Sequence, residues 1–205
     1  MQPFLKLSGA IDAITRMVGK VIIWAILAST LISAGNALVR KIFHTSSNAY
    51  LEVQWYLFAW AFLIAGGLAL LHQEHVKIDA LFGRYQRKTQ VKIEIFGFLF
   101  FLFPMCLVVL YYSVPEFMNM FRSGEMSTNT GGLIRWPVWL AMPLGFGLLL
   151  MQGVSELIKR IAFLKGLIDD PAEKKGRVSA EEELMEVLRK QQEKIKANAV
   201  PPAQP

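Results

Sequence analysis

Charged residues are scarce in this chain and are missing altogether from four long stretches of it. Asp, Glu, Lys and Arg make up 19% of the 205 residues, whereas hydrophobic residues make up 54%. A soluble domain typically has about 25% charged and about 45–50% apolar residues. Each charge-free stretch is about 20 residues long, the length at which a helix crosses the hydrocarbon core. This absence excludes a soluble globular enzyme. It also excludes an outer-membrane barrel, whose strands would alternate polar and apolar residues.

Cysteine is almost absent too, and the sequence contains no pattern typical of a catalytic site. The single cysteine, Cys106, excludes an internal disulfide, and its apolar surroundings are typical of an inert buried thiol. There is no phosphate-binding loop, no nucleophile with a base and no redox pair, which argues against an enzyme. His72 and His75 could suggest a metal pair, but a stable site needs three or four ligands. We therefore predict no metal and no cofactor.

The charge-free stretches predict an all-α integral membrane protein with four transmembrane helices. The stretches are 21–39, 53–73, 95–115 and 136–155. They belong to a predicted transmembrane domain that covers residues 21–165. Pumps and coupled transporters use ionisable residues inside the membrane to carry protons or bind ions. Because these spans contain none, the sequence argues against an independent transporter and favours a packing or partner subunit.

The net charge of +6 is explained by an asymmetry across the membrane. With the N-terminus inside, the inner segments contain 18 Lys and Arg residues and the outer segments contain 4. Lys and Arg are enriched in cytoplasmic segments, so both termini are predicted to be cytoplasmic. Trp and Tyr favour the headgroup level, and six of them fall at the predicted outer interface, namely Trp55, Tyr56, Tyr111, Tyr112, Trp136 and Trp139. The positive charge is thus an orientation signal, and we predict no nucleic-acid partner.

Residues 1–20 precede the first predicted span and have an amphipathic pattern. Apolar residues recur at helical spacing, at Phe4, Leu7, Ile11, Ile14 and Val18. Such a helix is predicted to lie in the inner headgroup plane with its apolar face toward the acyl chains. The alternative is that these residues extend the first span into the cytoplasm. We expect the first span to be uncleaved, because its run of 19 residues exceeds the about 7–15 of a secretory signal.

The composition changes after Gly166, and residues 166–205 are predicted to form a cytoplasmic tail. A charged linker at 169–178 contains proline and glycine. Ser179 and Glu182 then match a capping box, in which each side chain bonds the backbone near the other. Acidic residues lead and basic residues trail in the following sequence, as the helix dipole favours. This pattern predicts a cytoplasmic helix over residues 179–197.

The segment after the second predicted span contains a short motif and a basic loop. HVKID occupies residues 75–79, and the basic run RYQRK begins at Arg84. A basic loop can hold anionic phospholipid, at about 1 kcal/mol per basic residue near the surface. The alternative is an ordinary positive-inside loop.

This motif resembles the H-V-x-[VI]-D signature of the small membrane subunit of tripartite ATP-independent periplasmic (TRAP) transporters, the DctQ-like family. Three other elements are similar to that family: EVQW at 52–55, GEMS at 124–127, and WPVW at 136–139 leading into PLGFG at 143–147. The four spans with both ends inside also match. The resemblance extends over roughly residues 20–160 and leaves the tail outside it.

The resemblance implies a non-catalytic subunit with two protein partners in the bacterial cytoplasmic (inner) membrane. The first is a large multi-span permease, expected in a 1:1 heterodimer, which holds the substrate and ion sites. The second is a periplasmic binding protein, which delivers a solute that usually carries a carboxylate. An ion gradient, usually sodium, drives uptake. The small subunit enlarges and anchors the static part against which the transport domain moves.

The candidate site residues are those that match the family's motifs, joined by one residue of the basic loop. They are Glu52, Trp55, His75, Asp79, Arg84, Glu125, Ser127 and Trp136. We expect them to shape the fold, contact lipid, or dock the large subunit and the binding protein. Two other functions stay open. The chain could be a membrane adaptor that recruits a soluble partner through its cytoplasmic helix, or an autonomous small channel or exporter, which would need polar residues along a path.

Overall fold

The computed structural model describes residues 1–44, 47–73 and 85–170, and in the tail Met185, Leu188, Arg189 and Gln191. Met1–Asp170 forms one compact unit and Pro171–Pro205 a second. The four described tail positions are helical and exposed. The rest of the predicted helix at 179–197 lies outside the described residues, as do the predicted site residues His75, Asp79 and Arg84.

Four long helices make up the first unit. They are α1 (Gln2–Phe43), α2 (Asn48–His72), α3 (Arg87–Ser123) and α4 (Trp136–Leu164). Each is long and apolar enough to cross a membrane, and the described residues contain no strand. The prediction of an all-α chain with four such helices is therefore confirmed. The in-plane position of residues 1–20 and the side on which the termini lie stay predictions.

Helix α1 is far longer than a membrane crossing requires. Its 42 residues form an unbroken helix in which residues 2–20 continue directly into the first predicted span. At 1.5 Å per residue it measures about 63 Å, twice the hydrocarbon thickness of about 30 Å. About half of the helix must therefore extend beyond the hydrocarbon core or lie along its surface. The buried positions of this first half include Ser8, Ile11 and Thr15.

Helix α3 contains one wider turn near its middle. Residues Phe98–Leu102 form a π turn, and the amide of Phe103 donates to the carbonyl of Phe98. Pro104 follows directly, and proline has no N–H and clashes with the carbonyl four residues earlier. A local change from α to π pairing is one way in which a helix accommodates such a disruption. The helix then continues to Ser123 and ends where Gly124 adopts a left-handed conformation (φ 61°).

Helix α4 occupies the centre of the bundle. It packs against α1, α2 and α3, and α1 also packs against α2. Among the described residues, α3 packs mainly against α4. The apolar core lies where α1, α2 and α4 meet, at Ile22, Ala61, Ile64 and Leu148. Helices α1, α2 and α4 therefore form a three-helix core, and α3 joins it mainly through α4.

Glycines allow α4 to approach its neighbours closely. A Cβ added at Gly145 would lie 2.8 Å from the carbonyl oxygen of Leu63 in α2. A Cβ added at Gly153 would lie 2.8 Å from a methyl carbon of Leu102 in α3. Lipid tails are as apolar as the helices, so close contact supplies attraction that burial alone does not. These two positions therefore set the distances of α2 and α3 from α4.

We expect Gly145→Ala to destabilise the bundle, because the new methyl group meets the backbone of Leu63 and not a mobile side-chain end. Overpacking of this kind costs about 1–3 kcal/mol. The matched control is Gly147→Ala on the same helix, where an added Cβ meets nothing within 4 Å. Thermal unfolding of the purified chain should show a lower midpoint for Gly145→Ala and no loss for Gly147→Ala. Equal midpoints would contradict the close α2–α4 contact.

Candidate functional site

The buried carboxylate of Glu52 joins the start of α2 to the loop between α3 and α4. Glu52 is only 3% exposed. Its Oε2 accepts a hydrogen bond from the amide of Leu133 at 2.7 Å, and its Oε1 accepts one from Asn129 Nδ2 at 2.8 Å. The hydroxyl of Ser127 donates to the same Oε1. A buried carboxylate needs such donors to replace lost water, and here all three come from one loop.

The loop between α3 and α4, residues 124–135, has a defined conformation of its own. The amide of Ser127 donates to the carbonyl of Leu133 at 2.8 Å, and that of Arg135 donates to Glu125 at 3.0 Å. This pairs the two arms of the loop in antiparallel fashion across the Met126–Ile134 bridge. Glu52 accepts hydrogen bonds from Ser127 on one arm and from Leu133 on the other, so it stabilises the pairing of the two arms.

The outward surface of this α3–α4 loop carries a charged pair. Arg135 Nη1 lies 2.5 Å from Glu125 Oε1, and the two side chains are 37% and 42% exposed. An ion pair this exposed contributes about 0–1 kcal/mol to stability. Met126, beside it, is 56% exposed. The pair and the methionine are thus surface features that are available for contact.

Aromatic side chains attach the end of the loop to the helices. Trp136 packs edge-to-face against Phe121 of α3, with ring centroids 5.5 Å apart. The hydroxyl of Tyr56 donates to the carbonyl of Ile134 at 3.2 Å, and Trp60 Nε1 donates to Pro137 at 3.0 Å. Trp55, in contrast, is 64% exposed.

The structure therefore brings some of the predicted site residues together and separates others. Glu52 and Ser127 are in direct contact, and Glu125 lies in the same loop. Trp136 lies at the end of that loop, whereas Trp55 is exposed. The other three predicted residues lie outside the described part of the chain.

A second polar cluster, at the opposite end of the bundle, was not predicted from the sequence. Asp12 of α1 accepts hydrogen bonds from Ser155 Oγ at 2.7 Å and from Gln152 Nε2 at 3.0 Å. Lys159 Nζ lies 2.9 Å from the other oxygen of Asp12. Thr15 donates to Gln152 Oε1 at 2.8 Å. These contacts attach α1 to α4, and Gln152, Ser155 and Thr15 are fully buried.

The same cluster continues from α4 to α3. Arg160 Nε donates to Glu94 Oε2 at 2.6 Å, and Arg160 Nη1 pairs with Glu156. The guanidinium lies 4.7 Å from the ring centroid of Phe98, in cation–π contact. The side chains of Arg160, Glu156 and Glu94 are 4%, 1% and 9% exposed. Arg87, at the start of α3, pairs in turn with Asp170.

The signal for this cluster was present in the spacing along α4. Gln152, Ser155, Glu156, Lys159 and Arg160 follow one another at intervals that place them along one side of a helix. They begin at the end of the charge-free stretch 136–155, where charges are expected once a helix leaves the membrane. Asp12 lies between the apolar positions of the predicted amphipathic helix, where a charged residue is expected to face solvent. Only the fold shows that these residues meet.

The two clusters can hold helices together, but their geometry offers little for catalysis. Asp12, Glu52, Glu94 and Glu156 each accept hydrogen bonds from neighbouring donors. No group of three or more His, Cys, Asp and Glu residues among the described ones is arranged to hold a metal ion. The arrangement is typical of structural contacts between helices and a loop.

Comparison with known proteins identifies the family to which this chain belongs. The comparison with curated proteins returned no match. A family model described as the DctQ component of tripartite ATP-independent periplasmic transporters matches residues 29–163. That range contains most of the four-helix unit, including Glu52, the α3–α4 loop and the polar face of α4, but not Asp12. The resemblance seen in the sequence is thus confirmed, and the chain belongs to the family of DctQ components, the small permease subunits of TRAP transporters.

Proposed function

We propose that this small permease component is a non-catalytic scaffold for the large permease subunit, with which it forms a 1:1 complex in the bacterial inner membrane. In this proposal both of its termini are cytoplasmic. The complex takes up a carboxylate-bearing solute that a periplasmic binding protein delivers, and a sodium gradient drives the uptake. The chain itself binds neither the solute nor the ion.

The observation that carries this proposal is the outward apolar surface of the helices. Within the most apolar window of α3 only 11% of the residues are buried inside the chain, and within that of α1 only 17%. The central helix α4 reaches 33%. A membrane protein of this size thus leaves most of its span surface to lipid or to a partner. A large permease packed against these helices fits that surface.

The polar contacts also support a scaffold role for this chain, with transport performed by the large subunit. Carboxylates that bind a transported ion must exchange partners as the ion arrives and leaves. Asp12 and Glu52 are instead held by donors from a second helix and from a loop, and Glu94 is held by Arg160. The buried carboxylates therefore hold parts of this chain together, as expected for a static part of a transporter.

The α3–α4 loop is proposed to contact the periplasmic binding protein. In the predicted orientation this loop faces the periplasm, and it presents Glu125, Met126 and Arg135 on its surface. Glu52 fixes the conformation of the loop from within the bundle. A docking surface that is already ordered loses less conformational entropy when its partner binds.

We expect Glu52→Ala to lower the thermal midpoint of the purified chain by several degrees, because it leaves the Leu133 amide and the Asn129 side chain without their acceptor. The control, Glu125→Ala, removes a carboxylate of the same loop from an exposed pair and should change the midpoint little. In vesicles that contain the whole transporter, Glu52→Ala should slow uptake and leave the large subunit bound. Equal midpoints for the two variants would remove Glu52 as the anchor of the loop.

The partner is tested by expressing the chain with its genomic neighbours. An affinity tag on this chain should recover a large multi-span membrane protein in about equal amount, because the proposed complex is a heterodimer. Liposomes that contain only this chain should show no solute flux, whereas the reconstituted pair with its binding protein should show uptake. Flux through the chain alone would support the channel alternative.

Deletion of residues 171–205 separates the scaffold from the adaptor alternative. The cut leaves Asp170 in place, so its pair with Arg87 is kept. Because the matched family range ends at residue 163, we expect the shortened chain to bind the large subunit and to support nearly full uptake. Loss of uptake while the two membrane subunits stay together would favour recruitment of a soluble partner through the tail.

A further inference from the structure

The first part of α1, residues 2–20, is attached to α4 along one of its sides, and we refer to it as the N-terminal segment. The hydroxyls of Ser8 and Ser155 lie 2.7 Å apart. Two turns further along α1, Thr15 donates to Gln152 Oε1 at 2.8 Å. These contacts fix the segment to the bundle, so it is not a free extension of the first span.

The N-terminal segment is inclined to α4. From Ser8 to Thr15 the chain advances seven residues, about 10.5 Å along α1. The α4 partners of these two residues, Ser155 and Gln152, are only three residues apart, about 4.5 Å. Two helices that lie nearly parallel or antiparallel would advance equally. Because the partners lie at the inner end of the predicted span 136–155, the inclined segment follows the headgroup region instead of crossing it directly.

The exposed surface of the N-terminal segment has an apolar side and a basic side. At about 100° per residue, each side covers about 80° of the helix circumference, and the two sides are adjacent. On the apolar side three residues are at least 50% exposed, namely Leu7, Ile14 and Met17. On the basic side lie three exposed cations, namely Lys6, Arg16 and Lys20. The segment therefore presents two different surfaces away from the bundle.

The positive charge of the basic side is not balanced by a carboxylate on the same surface. Asp12 is the one acidic residue among residues 1–20 of the sequence. Its carboxylate accepts hydrogen bonds from Ser155 and Lys159 of α4, so it is directed toward the bundle. The contacts that attach the segment to α4 thus also remove its negative charge from the exposed surface.

This pair of surfaces fits the inner headgroup region of a bilayer. An interfacial helix places apolar side chains at the acyl boundary and Lys or Arg among the headgroups. Long basic side chains lie over apolar surface while their charged ends reach the phosphates. Each basic residue near an anionic leaflet raises the affinity about fivefold. A protein partner would need a carboxylate opposite each cation, whereas anionic lipids supply negative charge along the whole segment.

We propose that the N-terminal segment binds phosphatidylglycerol, an anionic phospholipid, in the predicted cytoplasmic leaflet. The apolar side contacts the acyl chains, and the three cations of the basic side contact the phosphates. Phosphatidylcholine binds less well, because its own ammonium group balances its phosphate. The matched family range begins at residue 29, so this contact goes beyond what membership of the family implies.

Two alanines provide a matched test of how the segment lies in the bilayer. Ala10 falls on the apolar side and Ala13 on the basic side, and both are exposed. Cys106 is 0% exposed, so a thiol reagent labels only an added cysteine. Full-length Ala10→Cys and Ala13→Cys, each with a nitroxide label, are placed in vesicles of phosphatidylglycerol and phosphatidylcholine. We expect the label at Ala10 to collide mainly with oxygen, which concentrates in hydrocarbon, and the label at Ala13 mainly with a water-soluble nickel chelate. Labels that both meet the nickel chelate, or both meet oxygen, would overturn the proposal.

The lipid class is tested with a bimane fluorophore on Ala10→Cys, quenched by lipids that carry a nitroxide on the acyl chain. Labelled phosphatidylglycerol should quench at a concentration at least about fivefold lower than labelled phosphatidylcholine, which is the effect of one basic residue. Replacing the three cations together, by Lys6→Gln, Arg16→Gln and Lys20→Gln, should remove this difference. The matched control, Lys6→Arg with Lys20→Arg, keeps the charge and should keep the preference.

Thermal unfolding checks that each of these variants is folded. Equal quenching by the two lipids in the unsubstituted segment would overturn the proposal, as would a preference that survives removal of all three cations. The Ala10 labels are then measured again with the large subunit present. Loss of contact with lipid in that complex would also overturn the proposal, because the segment would then be a protein interface. The results with the chain alone do not depend on whether it scaffolds the transporter.

Discussion

The second half of α4 makes the contacts on which the positions of α1 and α3 depend. Helices in a bilayer gain little from burying apolar side chains against one another, since lipid tails are equally apolar. Close packing and polar contacts must therefore hold them together. Helix α4 supplies both, through the close approach at Gly153 and through a polar face that reaches Asp12 of α1 and Glu94 of α3. The fold is thus organised around one helix.

The charged contacts of α4 act on the specificity of the arrangement more than on its stability. A buried ion pair is a weak source of stability, because the lost hydration offsets much of the attraction. Misplacing one partner is costly, however, since the other charge stays buried and unpaired. A shift of α1 by one turn would separate Asp12 from Ser155 and Lys159 together. The cluster therefore fixes which turns of α1 and α4 meet.

The sequence predicts the helices well because membrane spans depend on local composition. A run of about 20 residues without charge requires no knowledge of its neighbours to be recognised. The contacts of Asp12 are different, since its partners on α4 are 140 or more positions away in the chain. Nothing local distinguishes a buried aspartate from a solvated one on an amphipathic helix. Glu52 and Ser127 were found only through motifs of a family, and nothing in the sequence indicates their contact across a separation of 75 positions.

The two ends of the bundle use different chemistry for the same purpose. At one end a single carboxylate, Glu52, accepts bonds from neutral donors of one loop, so the loop takes its shape from the helix. At the other end charges of both signs alternate across three helices, from Asp12 through Lys159 and Glu156 to Arg160 and Glu94. A group that couples transport to an ion gradient must change partners in each cycle. Buried charges that are already matched to one another instead hold the helices in one arrangement, because separating them would leave each charge buried without its partner.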